Sequence, residues 1–220
     1  MKNTKQIELP KLEIADREGG NQRWLKNPTM YIGGCAATLA SDHAIYFAKY
    51  FGLSKLYPYG LDNITKTDFI KFAKLVKPYI RPRIRGVDRL EIFIEGFSQF
   101  LKDKGINELS LKPFSSDINY PEFAKKIIKQ IKNNYPVPFL LLHHKNKALD
   151  DYTWHWFGIN GIKTFDTSDD LEHLSEATLK QLQVKIVSYG KPKWHFLYDF
   201  WNSGFSQNGG IIIYKFNTSK

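Results

Sequence analysis

Tyr31-Ile32-Gly33-Gly34-Cys35-Ala36-Ala37-Thr38-Leu39-Ala40-Ser41-Asp42-His43-Ala44-Ile45-Tyr46-Phe47-Ala48-Lys49-Tyr50 is the stretch on which the reading of the whole chain turns. Ala37, Ala40, Ala44, Phe47 and Ala48 recur at steps of three and four, the spacing of a buried helix face, and Gly52 follows as a stop. The chain's single cysteine stands where that helix begins. A helix N-terminus favours negative charge, so the placement predicts a thiol shifted toward thiolate. Gly33 and Gly34 predict a backbone that can lie close to a carbonyl, leaving the Cys35 amide to face an oxyanion. The competing reading is a small, buried apolar residue.

A thiol nucleophile needs a base, and His155 is the best of the six histidines. It lies in a predicted strand, 152–160, between Trp154 and Trp156, and strict alternation puts both indoles on the face opposite the imidazole. The following Asn160-Gly161 reads as a turn. His143 and His144 end the preceding strand, and as neighbours they point to opposite faces. With no second cysteine and no HExxH spacing, metal catalysis is disfavoured.

Working outward, the first 20 residues read as an arm or surface strand ending in Gly19-Gly20. Helices are predicted over 63–76, with Thr65 and Asp68 in a capping-box spacing, over 87–104, stopped by Gly105, and over 120–133. A short extended piece covers 108–112. Tyr135-Pro-Val-Pro-Phe-Leu-Leu-Leu reads as a buried strand, and further strands are expected near 184–189, 193–198 and 210–216, with a short helix over 172–181. The pattern predicts an α+β fold in one domain, 1–220, with a helical lobe at about 21–134 and a sheet lobe at about 135–220.

Hydrophobic residues make up 42% and aromatics 15%, enough to build a core and to exclude a disordered chain. No apolar run approaches a secretory or membrane segment, so a soluble, cytoplasmic protein without a membrane partner is expected. Lys and Arg outnumber Asp and Glu by 32 to 22, a net charge of +10, which raises the question of an anionic partner. The densest basic run is Lys77, Arg81, Arg83, Arg85 and Arg89, with Lys125, Lys126, Lys129 and Lys132 spaced as a solvated helix face. No nucleic-acid motif accompanies the charge, so a nucleic-acid partner is disfavoured.

The segments Asn21-Gln22-Arg23-Trp24, Tyr31 to Ala37, Tyr135 to Leu142 and Thr153-Trp-His155-Trp-Phe-Gly-Ile together resemble a bacterial papain-like cysteine peptidase. They are most similar to the branch related to peptidases that process double-glycine leaders. Lys185 to Gly190, followed by Trp194 to Trp201, resembles the family's Asn-Ser-Trp-Gly region and the strand after it. The resemblance spans about residues 20 to 203 and implies a papain-like two-lobe fold. It implies Cys35 as nucleophile, His155 as general base and then acid, a peptide or amide substrate, and no cofactor.

Two positions depart from the family. The oxyanion glutamine usually six residues before the cysteine is Thr29 here; Gln22, thirteen residues before it, resembles the more distant glutamine of the bacterial branch, with Asn27 a weaker substitute. The place of the asparagine that orients the histidine is Val187, which cannot accept the imidazole N–H. Asp166, Ser188 and Asp199 stand as candidates for that role. Two rival functions remain: a catalytically weak or inactive peptide-binding module, favoured by these departures, and a basic nucleic-acid or anionic-surface binder using Arg81, Arg83, Arg85 and Arg89.

Overall fold

A computed structural model of the chain describes residues 4–83, 86–165, 171 and 173–217. Three short strands come first: β1 (Lys5–Glu8), β2 (Glu13–Ile14) and β3 (Arg17–Glu18). A 3-10 turn, Gln22–Trp24, leads to helices α1 (Pro28–Gly33), α2 (Cys35–Tyr50), α3 (Lys66–Val76) and α4 (Leu90–Asp103), with further 3-10 segments at Ser54–Leu56 and, later in the chain, Lys147–Tyr152. Next are β4 (Leu109–Ser115), α5 (Tyr120–Lys132), β5 (Val137–Leu141) and β6 (His155–Thr164). The chain continues through α6 (Glu176–Lys180), β7 (Gln183–Ser188), β8 (Lys191–Phe196), α7 (Leu197–Trp201) and β9 (Gly209–Phe216).

Local chemistry sets the helix ends. Thr65 Oγ1 accepts from Asp68 N at 3.1 Å, so α3 starts at Lys66. Asn63, expected inside that helix, has φ +52° and lies in the turn before it. α4 begins three residues later than expected because the Val87 carbonyl is taken by the Trp156 indole N–H at 2.6 Å. Gly105, at φ +69°, ends it as predicted.

The large sheet is antiparallel, in the order β4-β9-β5-β6-β7-β8, with β1 also paired to β6. β5 pairs with the stretch 155–159 of β6 and β1 with 161–164, while β7 runs along the opposite edge. The Asn160-Gly161 turn is therefore corrected. The dipeptide lies inside a continuous strand as a bulge, where the β7 register shifts between Ile159 and Gly161 and the Asn160 carbonyl accepts from Leu9 N at 2.8 Å. The sheet also draws β1 and β4 from the first half of the chain, so its strands are not confined to the segment after residue 135. The strand expected to reach Tyr198 stops at Phe196 and turns into α7.

Helices cover both faces. Phe139 and Phe157 are cross-strand partners, and they meet Phe123 of α5 and Phe200 of α7. Trp156, on the opposite face by alternation, stacks on Phe93 of α4 at 4.7 Å. Gly158 shares that face with Trp156, and a Cβ there would meet Leu39 Cδ1 at 3.3 Å and His43 Nε2 at 3.5 Å of α2. That missing side chain lets α2 lie directly on β6. His43 is sealed in this layer, bonded through Nδ1 to the Tyr214 hydroxyl at 2.9 Å. No helix among the described residues is long and apolar enough to cross a membrane.

Candidate active site

Cys35 is the first residue of α2, and the short α1 aims the chain into it. Asn27 caps α1, its Oδ1 accepting from Thr29 N at 3.1 Å and Met30 N at 3.3 Å, and Pro28 occupies the first turn. Gly34 joins the two helices. A Cβ on Gly34 would sit 2.3 Å from the Met30 carbonyl oxygen, and one on Gly33 would sit 2.7 Å from that of Arg83. The glycine pair thus makes room for two carbonyls of the protein itself.

His155 is the first residue of β6. Cys35 and His155 line one cleft of about 500 Å³ together with Gln22, Thr153, Trp154 and Tyr189. The imidazole is buried and held on two sides. Its Nε2 lies 2.8 Å from Ser188 Oγ, and its plane stacks on the Tyr189 ring at 5.0 Å and 8°. Tyr189 and Gly190, at φ +53° and +71°, form the two-residue hairpin between β7 and β8. The hairpin is pinned from outside, since Asn21 Nδ2 donates to the Tyr189 carbonyl at 3.0 Å. Trp154 does not alternate with the strand. It stands before β6 with φ +52°, its indole 45% exposed at the cleft, so only Trp156 belongs to the core.

Gln22 is buried at the same cleft, anchored by a bond from Nε2 to the Tyr31 carbonyl at 3.0 Å. Its second amide hydrogen is left for another acceptor. Asn27 is committed to capping and Thr29 is exposed on α1, so neither reaches this position. Of the candidates for orienting His155, Ser188 is the one brought to it; Val187 is buried next to it, and Asp199 lies in the first turn of α7, away from the cleft. Asp166 lies outside the described residues, as does Arg85 of the basic run. Among the described residues no group of three or more His, Cys, Asp or Glu side chains could hold a metal ion.

Burial dominates the electrostatics. It pushes the Cys35 thiol up, while the backbone N–H groups of Trp156, Ala36 and Cys35 pull the other way without overcoming it. Burial also pulls His155 down to about 4. Each shift favours the uncharged form of its group, against the direction expected from the helix start alone. The favourable end of a helix is worth at most about 2 kcal/mol, and desolvating a thiolate costs more.

Sequence reasoning missed Tyr189 and Asp42. The Tyr-Gly pair after a predicted strand was a hairpin signal, but nothing local put the ring on His155. Asp42 lies two turns after Cys35 on α2 and accepts from Gly20 N at 2.8 Å; burial pushes its carboxyl up to about 7. With Thr38, Val187 and Ser188 it lines a small hollow behind the cysteine and histidine. The spacing of Cys35, Thr38 and Asp42 along one helix face was a legible clue to that hollow. Neither a protein-family model, nor a curated protein, nor a solved structure matches this chain.

Proposed function

We propose that the protein is a cysteine-nucleophile hydrolase of amide bonds, a peptidase with a papain-like division of labour between a helix-borne thiol and a strand-borne imidazole. The observation that carries the reading is the meeting of Cys35 and His155 in one cleft, with His155 Nε2 held by Ser188. When Nε2–H donates to Ser188 Oγ, Nδ1 is the free, basic nitrogen. Because burial favours the uncharged form of both groups, the thiol proton passes to Nδ1 as sulfur attacks the substrate carbonyl, rather than beforehand. The second Gln22 amide hydrogen and the backbone at the start of α2 then face the oxyanion. The imidazolium returns its proton to the leaving amine, and water activated by the same nitrogen releases the acyl group from sulfur.

A peptide-binding module without turnover is the second reading, favoured by these shifts toward the uncharged forms and by a hydroxyl where papain-like enzymes present a carboxamide. Peptidyl vinyl sulfones separate the two, because their addition to sulfur needs both the thiol and a proton donor. Rapid labelling of Cys35, slowed about 100-fold or more in His155→Ala, is the expected result. Labelling no faster than that of the urea-unfolded chain, and unchanged in His155→Ala, would overturn the hydrolase reading.

A further inference from the structure

Beside the nucleophile cleft runs a second groove of about 320 Å³ that shares Asp151 and Tyr189 with it and also exposes Ser188. Its chemistry differs. Arg17, Arg23, Lys191 and Lys193 line it, with Asp151 the one acidic side chain on its wall. Lys191 and Lys193 alternate on β8 and so share a face, and β3 brings Arg17 alongside. None of these four cations has a carboxylate within 4.0 Å among the described residues.

Two of the cations are held by aromatic faces, which leaves their N–H edges open to a ligand. Arg17 lies over Trp24 at 5.9 Å, and Arg23 lies over Tyr189 at 5.0 Å. Tyr189 is the ring that stacks on His155 at 5.0 Å, so two successive 5.0 Å steps put the Arg23 guanidinium no more than 10 Å from the base. An extended peptide covers that distance in about three residues. The nucleophile cleft itself carries apolar side chains, Ile32 at 74% and Trp154 at 45% exposure.

We propose that this groove is an acid-binding subsite, so that the substrate of Cys35 is an acidic peptide: a Glu or Asp within about three residues of the scissile bond sits on Arg23, Lys191 and Lys193, and an apolar residue sits against Ile32 and Trp154. The inference rests on the hydrolase reading and adds its substrate class. The chain's net charge of +10 works in the same direction, drawing anionic chains toward the protein.

Matched peptidyl vinyl sulfones test it. In one set Glu replaces Gln at each of the three residues before the electrophile; in another a carboxyphenyl sulfone replaces a carbamoylphenyl sulfone, so both sides of the bond are sampled. At low ionic strength at least one acidic probe should label Cys35 about 5- to 10-fold faster than its neutral partner, with the ratio falling toward one in about 0.5 M KCl. Lys191→Gln/Lys193→Gln and, separately, Arg23→Gln should lower that ratio to about twofold or less, while Lys74→Gln/Lys129→Gln, which removes equal charge elsewhere, keeps it. Thermal unfolding of each variant verifies its fold. Equal rates for every acidic and neutral pair, or a ratio that follows net charge wherever it is removed, would overturn the subsite while leaving the nucleophile intact. Failure of every probe to label folded Cys35 would overturn the hydrolase reading and the subsite with it.

Discussion

Asp42→Asn is predicted to stabilise the protein above neutral pH and to change it little in mild acid. The folded carboxyl titrates at about 7 against an ordinary 3.8, because burial raises it and the one bond from Gly20 N does not compensate. A folded pKa raised above the unfolded one contributes stability that is fully present below the unfolded value and is lost as pH rises through the folded value. At about 1.36 kcal/mol per pH unit, the wild type should lose roughly 2 to 3 kcal/mol relative to the variant between about pH 4.5 and 8, allowing for the side chain's residual solvent contact. Two buried histidines act in the opposite sense. His155 at about 4 and His43 at about 3 stay neutral in the fold, so each adds stability above the ordinary 6.5 that is lost on acidification. Subtracting variant from wild type at each pH removes their contribution. Urea unfolding across that range reads the difference, with constant m-values as the check on two-state behaviour. Asparagine keeps an oxygen for Gly20 N, so the change isolates the charge. Wild-type and variant stabilities that stay parallel within about 0.5 kcal/mol over the range would refute the reasoning, because Asp42 would then titrate alike folded and unfolded.

Gly34→Ala forces a Cβ to 2.3 Å from a backbone oxygen at the α1–α2 junction; a loss of about 2 to 3 kcal/mol, read by thermal unfolding, and slower Cys35 labelling are expected. Ser188→Ala should slow vinyl sulfone labelling about 3- to 10-fold by releasing the His155 tautomer, with Ser188→Thr restoring most of the rate and the unfolding temperature of both unchanged. Lys185 bridges Glu8 at 2.7 Å and the buried Glu18 at 2.8 Å, so Lys185→Met leaves a buried carboxylate unpaired and should cost about 3 kcal/mol or more in urea unfolding.

The elements that carry the cleft were legible because their signals are local. Small residues at helical spacing after Gly34 fixed α2, and a proline-bounded apolar run before a histidine strand fixed β5 and β6. Gln22 was legible only through resemblance, and Ser188 only as one of several candidates. α1 was missed although Asn27-Pro28 is a cap followed by a first-turn proline, because the segment is short and ends in two glycines, which oppose helix in propensity. Asn160-Gly161 was misread because the same dipeptide suits a tight turn and a bulge, and the choice depends on β1 and β7, which arrive from both ends of the chain. The protonation of the Cys35–His155 pair was illegible for a similar reason. A helix start can be read in sequence, but the burial that outweighs it exists only after distant segments pack.

β1 pairs with β6, whose first residue is made long after it, and Gln22 and Asn21 likewise wait for the 155–190 region. At about 5 to 20 residues per second, that wait on the ribosome lasts roughly 10 to 30 s. During it the thiol has no imidazole, no hairpin ring and no cationic groove beside it. On the proposed function, the order of synthesis acts as a timer: a nascent chain stalled before His155 carries Cys35 without its base, and amide chemistry waits until residues 21–22 and 35 have met the 155–190 region.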